Sequence, residues 1–346
     1  MGIKAKLVHE ASIISRRAGG SIRNQTQRYK LASTFFDFLQ KRQQLPRRIK
    51  EIDEKLLFPF VAMHLGKETG IGHLHNTLAA IRVILRHAGV DIEGVSNKEL
   101  GVPHRSRIGK KRPYTADELK MLWPRARRKD TGFYHIVRLQ YLLGLRSQEA
   151  LMCGPNLGDW LERLQSQRTN ALLPVTRGAK NGRYREISVL KERAEETRSA
   201  VSDAYTYCAD RSFRFLCATG DLKKARMRLI TLYRCTGMIG ECSSHALRYT
   251  YACEKALELL DEGIDHQKTL RLLSSYLGHG DSRYLWIKSV YCRSIAHRFC
   301  AQGNNKSRSA QHQRTTASDP QNTTASTAST HTGHRIDLSY HHTAPN

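Results

Sequence analysis

The sequence predicts a mainly α-helical fold with one small β-hairpin, which places it in the α+β class. Apolar residues recur at helical spacing through most of the chain, as in residues 32–39. Two short segments, 171–175 and 185–190, read as strands and flank the turn dipeptide Asn181-Gly182, a combination typical of a hairpin. The 346 residues are enough for two domains with sizeable cores.

The first helical pattern covers residues 22–88 and is rich in Arg and Lys on its polar faces. Gly89 follows the last periodic residue, where a glycine commonly ends a helix. We therefore expect a helical domain over residues 22–100, preceded by a short N-terminal extension, residues 1–21.

Residues 101–113 read as a linker, because prolines and glycines accompany a run of cations with no acidic residue. Such a segment can lie along a phosphate backbone and add salt-dependent affinity. The cations of this linker are Arg105, Arg107, Lys110, Lys111 and Arg112. A capping box at 115–118 then starts a new helix, so we expect a second domain over residues 114–300.

The second domain reads as helices on either side of the hairpin. Residues 131–153 are helical and apolar, with a break at Gly144, and the helical pattern resumes after residue 191 and continues to about 298. Residues 301–346 consist mostly of Ser, Thr, Asn, Gln and His and bury too little apolar surface to fold. We expect a disordered tail there.

The charge of the chain points to a polyanionic partner. Lys and Arg number 57 against 31 Asp and Glu, giving a formal net charge of +26 and a pI near 10.0. A charge of this size favours nucleic acid as the partner. A ribosome-associated protein or a merely soluble cationic surface stays open on charge alone.

No apolar run approaches the ~20 residues that a membrane-spanning helix needs, and no secretory signal is visible. The eight cysteines show no C-x-x-C spacing, which favours reduced thiols in a cytoplasmic protein and argues against a zinc site. We therefore expect a cytoplasmic protein with no membrane contact and no metal or other cofactor.

Two arginines and a histidine suit the binding of one anion. His245 and Arg248 lie three residues apart in a segment that reads as a helix, so their side chains share a face. Arg146 belongs to a different helix start, and Glu149, three residues later, is interpreted as its orienting partner. Two guanidinium groups on one phosphate would stabilise the charge that develops at a pentacoordinate phosphorus. Taken singly, each arginine is more often part of a surface ion pair.

Three further side chains complete a candidate phosphodiester site: Lys180 at the hairpin tip, His279 in a tight connection between helices, and the phenol of Tyr291. A lysine at a tip is often only solvated, and a histidine in such a connection is often a helix cap. An ordinary phenol, with a pKa near ~10, is a poor nucleophile until nearby cations favour its phenolate. Tyr284 is a competing candidate for the nucleophile.

These segments, in this order, resemble the tyrosine recombinase family of phage-integrase-like site-specific recombinases. Gly144-Leu145-Arg146-x-x-Glu149 is similar to the family's first arginine box, and Ala179-Lys180-Asn181-Gly182-Arg183-x-Arg185 is similar to its lysine hairpin. His245-x-x-Arg248 resembles the second arginine box, and Leu277-Gly278-His279 resembles the LGH segment. Tyr291 then takes the place of the nucleophile. The resemblance covers residues 113–298, and the helical unit before them is similar to the family's core-DNA-binding domain.

The resemblance implies DNA cutting and rejoining through a 3′-phosphotyrosyl intermediate. Tyr291 would attack the scissile phosphate while two arginines hold its nonbridging oxygens, two histidines assist proton transfer and a lysine protonates the leaving 5′-oxygen. The implied catalytic residues are Arg146, Lys180, His245, Arg248, His279 and Tyr291. The implied DNA contacts are Arg105, Arg107, Lys110, Lys111, Arg112 and Arg183.

The resemblance also implies partners and a setting: double-stranded DNA, a homo-tetramer in the synaptic complex, accessory DNA-bending proteins, and association with the nucleoid when bound. The protein would serve a phage or another mobile element. Two departures matter. Tyr291 lies twelve residues after His279, farther than in many relatives, which keeps Tyr284 open as the nucleophile. The stretch from Arg248 to His279 is longer than usual.

Three alternatives remain beside this interpretation. A type IB topoisomerase would use the same chemistry but relax supercoils as a monomer. A catalytically inactive relative would bind DNA without cutting it, although candidates at all six catalytic positions argue against that. An ordinary basic RNA- or DNA-binding protein would make the order of the segments accidental.

Overall fold

The computed structural model confirms a mainly helical chain with one two-stranded sheet. It describes residues 2–67, 70–105, 111–167, 171–179, 182, 184–217 and 219–299. Met1–Ser294 form one compact unit and Ile295–Asn346 a second, of which 295–299 are described. The expected tail over 301–346 lies outside the described residues. In the described part of the chain, no helix is both long and apolar enough to cross a membrane.

Four helices share the first hydrophobic core: α1 (Ile3–Arg17), α2 (Ile22–Lys41), α3 (Leu57–Gly66) and α4 (Ile71–His87). Helix α1 lies within the segment that the sequence suggested was only an extension. Its Leu7, Ala11 and Ile14 are buried in this core, and their i, i+4, i+7 spacing is the signal that predicts the helix. The core therefore includes residues ahead of position 22.

Three phenylalanines form the centre of this core. Phe60 of α3 meets Phe35 and Phe38 of α2 edge-on, with ring centroids 5.1 and 5.4 Å apart. Edge-to-face pairs of this kind add stability beyond the area they bury. They fix α3 against α2.

The linker is anchored at both ends. Val102 belongs to the first core, and a ring nitrogen of His75 lies 2.9 Å from the carbonyl oxygen of Pro103. At the other end the backbone N–H of Tyr114 donates to the hydroxyl of Thr250 over 2.9 Å. Residues 106–110, between these anchors, lie outside the described part of the chain.

The rest of the unit consists of further helices and the hairpin. The helices are α5 (Ala116–Lys129), α6 (Thr131–Leu143), α7 (Ser147–Met152), α8 (Leu157–Ser166), α9 (Ala194–Ala209), α10 (Leu222–Cys235), α11 (Ser244–Asp261), α12 (His266–Tyr276) and α13 (Tyr284–Val290). Strands β1 (Leu172–Val175) and β2 (Arg185–Ser188) pair antiparallel, with Leu173 opposite Ile187. The predicted hairpin is confirmed.

The helix starts and stops follow the local sequence. In the capping box the Thr115 hydroxyl accepts from the backbone N–H of Glu118, whose carboxylate accepts from the N–H of Thr115 over 2.9 Å, as the sequence predicts. Gly144 ends α6 with φ +56°, and a Cβ there would lie 2.4 Å from the ring of Tyr251. Only glycine meets both demands, so the chain can turn sharply before α7.

Two buried polar side chains tie the hairpin to the helices. The indole N–H of Trp160 on α8 donates to the carbonyl oxygen of Pro174 over 2.7 Å. The phenol of Tyr251 on α11 donates to the carbonyl oxygen of Ser188 over 2.6 Å. Both side chains are fully buried, so these bonds fix β1 and β2 in position without competition from water.

The phenylalanine cluster yields a stability prediction. Phe60→Ala leaves a cavity between α2 and α3 and should lower the free energy of unfolding by about 3–5 kcal/mol. Phe58→Ala is the matched control on the same helix, because Phe58 is 43% exposed, and should change it by less than ~1 kcal/mol. Urea unfolding followed by circular dichroism measures both. Equal losses would contradict the assigned core.

Candidate active site

Four side chains from three segments of the chain meet at one phenol oxygen. The Nε of Arg248 donates to the hydroxyl of Tyr291 over 3.3 Å. The Nε2 atom of His245 lies 3.2 Å from that oxygen, and the Nε2 atom of His279 lies 3.3 Å from it. One oxygen is therefore surrounded by three nitrogen groups. The structure thus brings together four of the residues that the family resemblance implied: His245, Arg248, His279 and Tyr291.

Local structure places each of these groups. His245 and Arg248 lie one turn apart at the start of α11. His279 follows Gly278, whose φ of +63° turns the chain at the end of α12. Tyr291 comes directly after α13. A helix start, a glycine turn and a helix end thus face the same point.

Arg248 is held by backbone carbonyl groups in the interior of the protein. Its side chain is fully buried, and its terminal nitrogens donate to the carbonyl oxygens of Gly144 and Leu277. No carboxylate contacts its guanidinium among the described residues. No carboxylate therefore competes with an anion that approaches Tyr291 for the guanidinium of Arg248.

Arg146 lies beside it and is more open. Its Nη1 donates to Glu149 over 2.6 Å, and its Nη2 donates to the carbonyl oxygen of Leu277 over 2.9 Å. Its side chain is 21% exposed, whereas that of Glu149 is fully buried. The predicted orienting contact between Glu149 and Arg146 is present. Burial, together with the charge of Arg248, lowers the pKa of Arg146.

Both histidines are neutral in the free protein at ordinary pH. Burial lowers the pKa of His245 to about 3, helped by the charges of Arg248, Lys111 and Arg146. Burial and the same two arginines lower the pKa of His279 to about 3. A neutral imidazole has one nitrogen that accepts a proton and one that donates. Each can therefore take up a proton from a phenol or give a hydrogen bond to a phosphate.

Aromatic rings enclose the phenol. The ring of Tyr249 lies 4.5 Å from that of Tyr291, and the ring of Trp286 lies 5.5 Å away and edge-on. Trp286 also packs on His279 at 4.8 Å. The Tyr291 side chain is only 1% exposed as a result.

An open cavity of about 1420 Å³ borders this cluster, with Tyr291, Tyr249 and Trp286 on its wall. Its lining is mainly basic, with one acidic residue, Glu241, beside Arg105, Lys111, Arg112, Arg283 and Arg293. A cavity with a large excess of one sign of charge concentrates ligands of the opposite sign. The cluster therefore faces a space suited to a large anion.

The competing tyrosine lies elsewhere. The hydroxyl of Tyr284 accepts a hydrogen bond from the side-chain amide of Gln267 over 3.4 Å, and the guanidinium of Arg271 lies over its ring. Both partners belong to α12. No contact joins Tyr284 to His245, and its phenol does not share the cluster around Tyr291.

The predicted DNA contacts are only partly described. Arg107, Lys110 and Arg183 lie outside the described residues, as does Lys180, which was predicted to be catalytic. Arg105 and Lys111 line the cavity, and Lys111 bonds the hydroxyl of Ser243. Both terminal nitrogens of Arg112 donate to the carboxylate of Glu118, over 2.8 and 2.6 Å. Arg112 is therefore already paired with a carboxylate at the start of α5.

One buried arginine near the cluster had no predicted role. Arg185 was noted only as part of the hairpin motif, yet it contacts the carboxylate of Glu149 over 2.7 Å. The signal available in the sequence was its register, because Arg185 and Ile187 alternate on the inward face of β2. An arginine on an inward face requires a buried partner.

Comparison with protein families matches two successive parts of the chain. Residues 4–93 match the family described as phage integrase, N-terminal, and residues 101–254 match the family described as integrase. The two matches together span both helical parts of the chain. No curated protein sequence matches the chain.

Among solved structures, the Tn1549 transposon integrase in complex with transposon right-end DNA is similar to this chain, with a TM-score of 0.52 and 15% sequence identity. The match covers 89% of this chain and 98% of that chain. A lambda integrase dimer bound to a COC′ core site matches with a TM-score of 0.47 and 12% identity, over 83% of this chain and 91% of that one. The first of these likenesses establishes the shared fold.

The histidines yield a prediction for acid stability. Their pKa values are near 3 when folded and near 6.5 when unfolded, so between these limits the unfolded chain binds more protons. The free energy of unfolding should therefore fall as the pH decreases from about 6.5 toward 3. His245→Asn and His279→Asn should each make this slope shallower, by less than ~1.4 kcal/mol per pH unit. Urea unfolding between pH 7 and pH 4 measures the slopes; unchanged slopes would contradict the neutral imidazoles.

Proposed function

Because the chain belongs to the tyrosine recombinase family of phage integrases, we propose that it cuts and rejoins duplex DNA at specific sites through a 3′-phosphotyrosyl intermediate. The observation that supports this best is the set of three nitrogens, from Arg248, His245 and His279, within 3.3 Å of the Tyr291 hydroxyl. A phenol so placed is surrounded by groups that accept its proton and stabilise its anion.

In the proposed cleavage step, the oxygen of Tyr291 attacks the scissile phosphorus. A bond forms between the phenol oxygen and phosphorus, and the bond from phosphorus to the 5′-oxygen breaks. The phenol proton passes to a neutral imidazole, either His245 or His279. Lys180 gives a proton to the departing 5′-oxygen. The reverse sequence, with a 5′-hydroxyl from another strand, rejoins the DNA.

The arginines stabilise the charge that this attack creates. Arg146 and Arg248 would hold the nonbridging oxygens, which gain negative charge when phosphorus becomes five-coordinate. Donors that are already fixed by Leu277 and Glu149 need little rearrangement during the reaction. Because the phosphotyrosyl ester keeps the energy of the broken bond, the chemistry itself requires neither a nucleotide nor a metal.

DNA has to reach a phenol that is nearly buried in the free protein. Tyr249 and Trp286 cover the ring of Tyr291 on the side of the cavity. We infer that binding of the scissile phosphate displaces part of this aromatic wall. The attraction of the basic cavity for the phosphate backbone supplies free energy for that displacement.

The assembly is proposed from the same family membership. The helical unit before the linker would contact one side of the duplex and the catalytic domain the other. The Tn1549 integrase, which shares this fold, is bound to transposon right-end DNA in its structure. Four protomers would join two duplexes in the synaptic complex, with accessory DNA-bending proteins as further partners and the nucleoid as the setting.

The nucleophile can be identified with a suicide substrate. Incubation with a randomised duplex library, followed by recovery of covalently attached DNA, first provides the cognate site. With a nicked duplex of that site, the wild-type protein should give an adduct on a denaturing gel. Tyr291→Phe should reduce the adduct by at least ~10⁴-fold, because it removes the attacking oxygen.

Tyr284→Phe is the matched control, because it removes a phenol seven residues earlier and should leave the adduct within about threefold of wild type. The opposite pattern would assign the nucleophile to Tyr284. Absence of any adduct from the wild-type protein, across the whole library, would refute the recombinase proposal.

The basic cavity yields a salt prediction. Arg105→Ala and Lys111→Ala should each reduce the slope of log K against log salt concentration by about 1, because each removes one phosphate contact. Arg198→Ala is the control, since Arg198 pairs with Glu195 on α9 and does not line the cavity. Fluorescence anisotropy with a labelled duplex gives the slopes. Three identical slopes would show that DNA does not occupy the cavity.

A further inference from the structure

Arg185 is a buried arginine that the proposed reaction leaves without a role. Its side chain is only 4% exposed, on a strand whose next inward residue, Ile187, is fully buried. Glu186 between them is less buried and accepts from the Tyr184 hydroxyl at the surface. A buried guanidinium is costly unless hydrogen bonds and a counter-charge satisfy it. The position therefore has a specific function.

The partners of Arg185 belong to the candidate site. Its Nη2 donates to one oxygen of Glu149 over 2.7 Å, and its Nη1 donates to the carbonyl oxygen of Tyr276. The other oxygen of Glu149 accepts from the Nη1 of Arg146 over 2.6 Å. The fully buried carboxylate thus lies between two guanidinium groups. Arg185 is therefore linked through one carboxylate to Arg146, whose side chain is 21% exposed.

Arg185 also supports the turn that carries His279. A Cβ added at Gly278 would lie 2.6 Å from the Cδ of Arg185, so the stem of the arginine packs directly against this turn. Gly278 has a φ of +63°, which favours glycine for a second reason. Arg185 therefore contacts both the Arg146–Glu149 pair and the segment before His279.

The ion pair remains charged. Burial disfavours ionisation of Glu149, but the charges and hydrogen bonds of Arg185, Arg248 and Arg146 bring its pKa down to about 2. Burial, and then the charge of Arg248, lowers the pKa of Arg185 to about 10. Both groups are ionised at neutral pH. Without Arg185, the Glu149 carboxylate would be free to turn fully toward Arg146 and pull its guanidinium away from Leu277, whose carbonyl oxygen it now contacts over 2.9 Å.

We propose that Arg185 is a positioning residue, which through Glu149 and Gly278 holds Arg146 and His279 in place for an anion bound beside Tyr291. This inference rests on the proposed function.

Cleavage of the suicide duplex tests this role. Arg185→Met should slow single-turnover cleavage by about 10²-fold, as expected when a group at the reacting centre is displaced by about 1 Å, and should leave the Kd for DNA within about threefold. Arg185→Lys, which keeps the charge but not the two-pronged contact, should recover part of the loss. Arg193→Met is the matched control, because Arg193 pairs with Glu254 outside the cluster.

A substrate without the phosphate charge distinguishes a role of Arg185 in positioning Arg146 from a role only in stabilising the fold. A methylphosphonate at the scissile position removes the charge that Arg146 would hold. On the more reactive of its two diastereomers, Arg185→Met should be slower than wild type by less than about threefold. Equal losses on the phosphate and methylphosphonate duplexes would overturn the proposal.

Arg185→Met leaves the buried Glu149 carboxylate without one of its two arginine partners, and a double variant controls for this effect. Glu149→Gln/Arg185→Met removes one positive and one negative charge together, so the net charge of the cluster is unchanged, and the variant should melt near the wild-type temperature and yet cleave slowly. Recovery of wild-type cleavage by this variant would also overturn the proposal, because Arg185 would then serve only to neutralise Glu149.

Tungstate binding separates this inference from the function on which it rests. By calorimetry, wild type and Arg193→Met should bind tungstate equally, and Arg185→Met at least about tenfold more weakly. That pattern without any DNA adduct would support the positioning role and refute the recombinase. An adduct formed equally by all variants would support the recombinase function and refute the positioning role of Arg185. No tungstate binding and no adduct would refute both.

Discussion

The packing of three arginines, two of them buried, around a single carboxylate is the constraint on which the site depends. Arg146, Arg185 and Arg248 carry three positive charges, and Glu149 supplies one negative charge, so two positive charges remain. Backbone carbonyl groups, Leu277 foremost, satisfy the hydrogen bonds of these arginines but not their charge. Such a site is costly in the free protein. It matches a phosphorane with two negative charges, so the cost is recovered mainly in the transition state.

Burial, reinforced by the same excess of charge, explains why the histidines are neutral. Beside two uncompensated guanidinium groups, burial holds His245 and His279 neutral over the physiological range. A bound phosphate brings a negative charge into the cluster, which raises the affinity of each imidazole for a proton. Under the proposed function, the site therefore becomes a better proton acceptor when the scissile phosphate binds.

The sequence predicts those parts of the site that depend on local spacing. A separation of three residues on a helix puts Arg146 next to Glu149, and His245 on the same face as Arg248, and both pairs follow from helix geometry alone. Arg185 could not be assigned in this way. Its register marks it as inward, but its partner lies 36 residues away along the chain. Helix α1 was missed for a different reason, since its short apolar pattern is surrounded by polar residues that gave no start signal.

The choice between the two tyrosines shows where local spacing ends and tertiary structure begins. Seven residues make about two helical turns, so Tyr284 and Tyr291 lie on nearly the same face, roughly 10 Å apart along the axis. Spacing thus predicts which face of the helix carries the tyrosines, but not which of the two lies beside the histidines and Arg248. The turn at Gly280, with φ +76°, sets where α13 begins, and Trp286 packs on His279 one turn into the helix. The first tyrosine consequently contacts α12, and only the second reaches the nitrogens of the cluster. A twelve-residue spacing from His279 is therefore the length that this turn and α13 require.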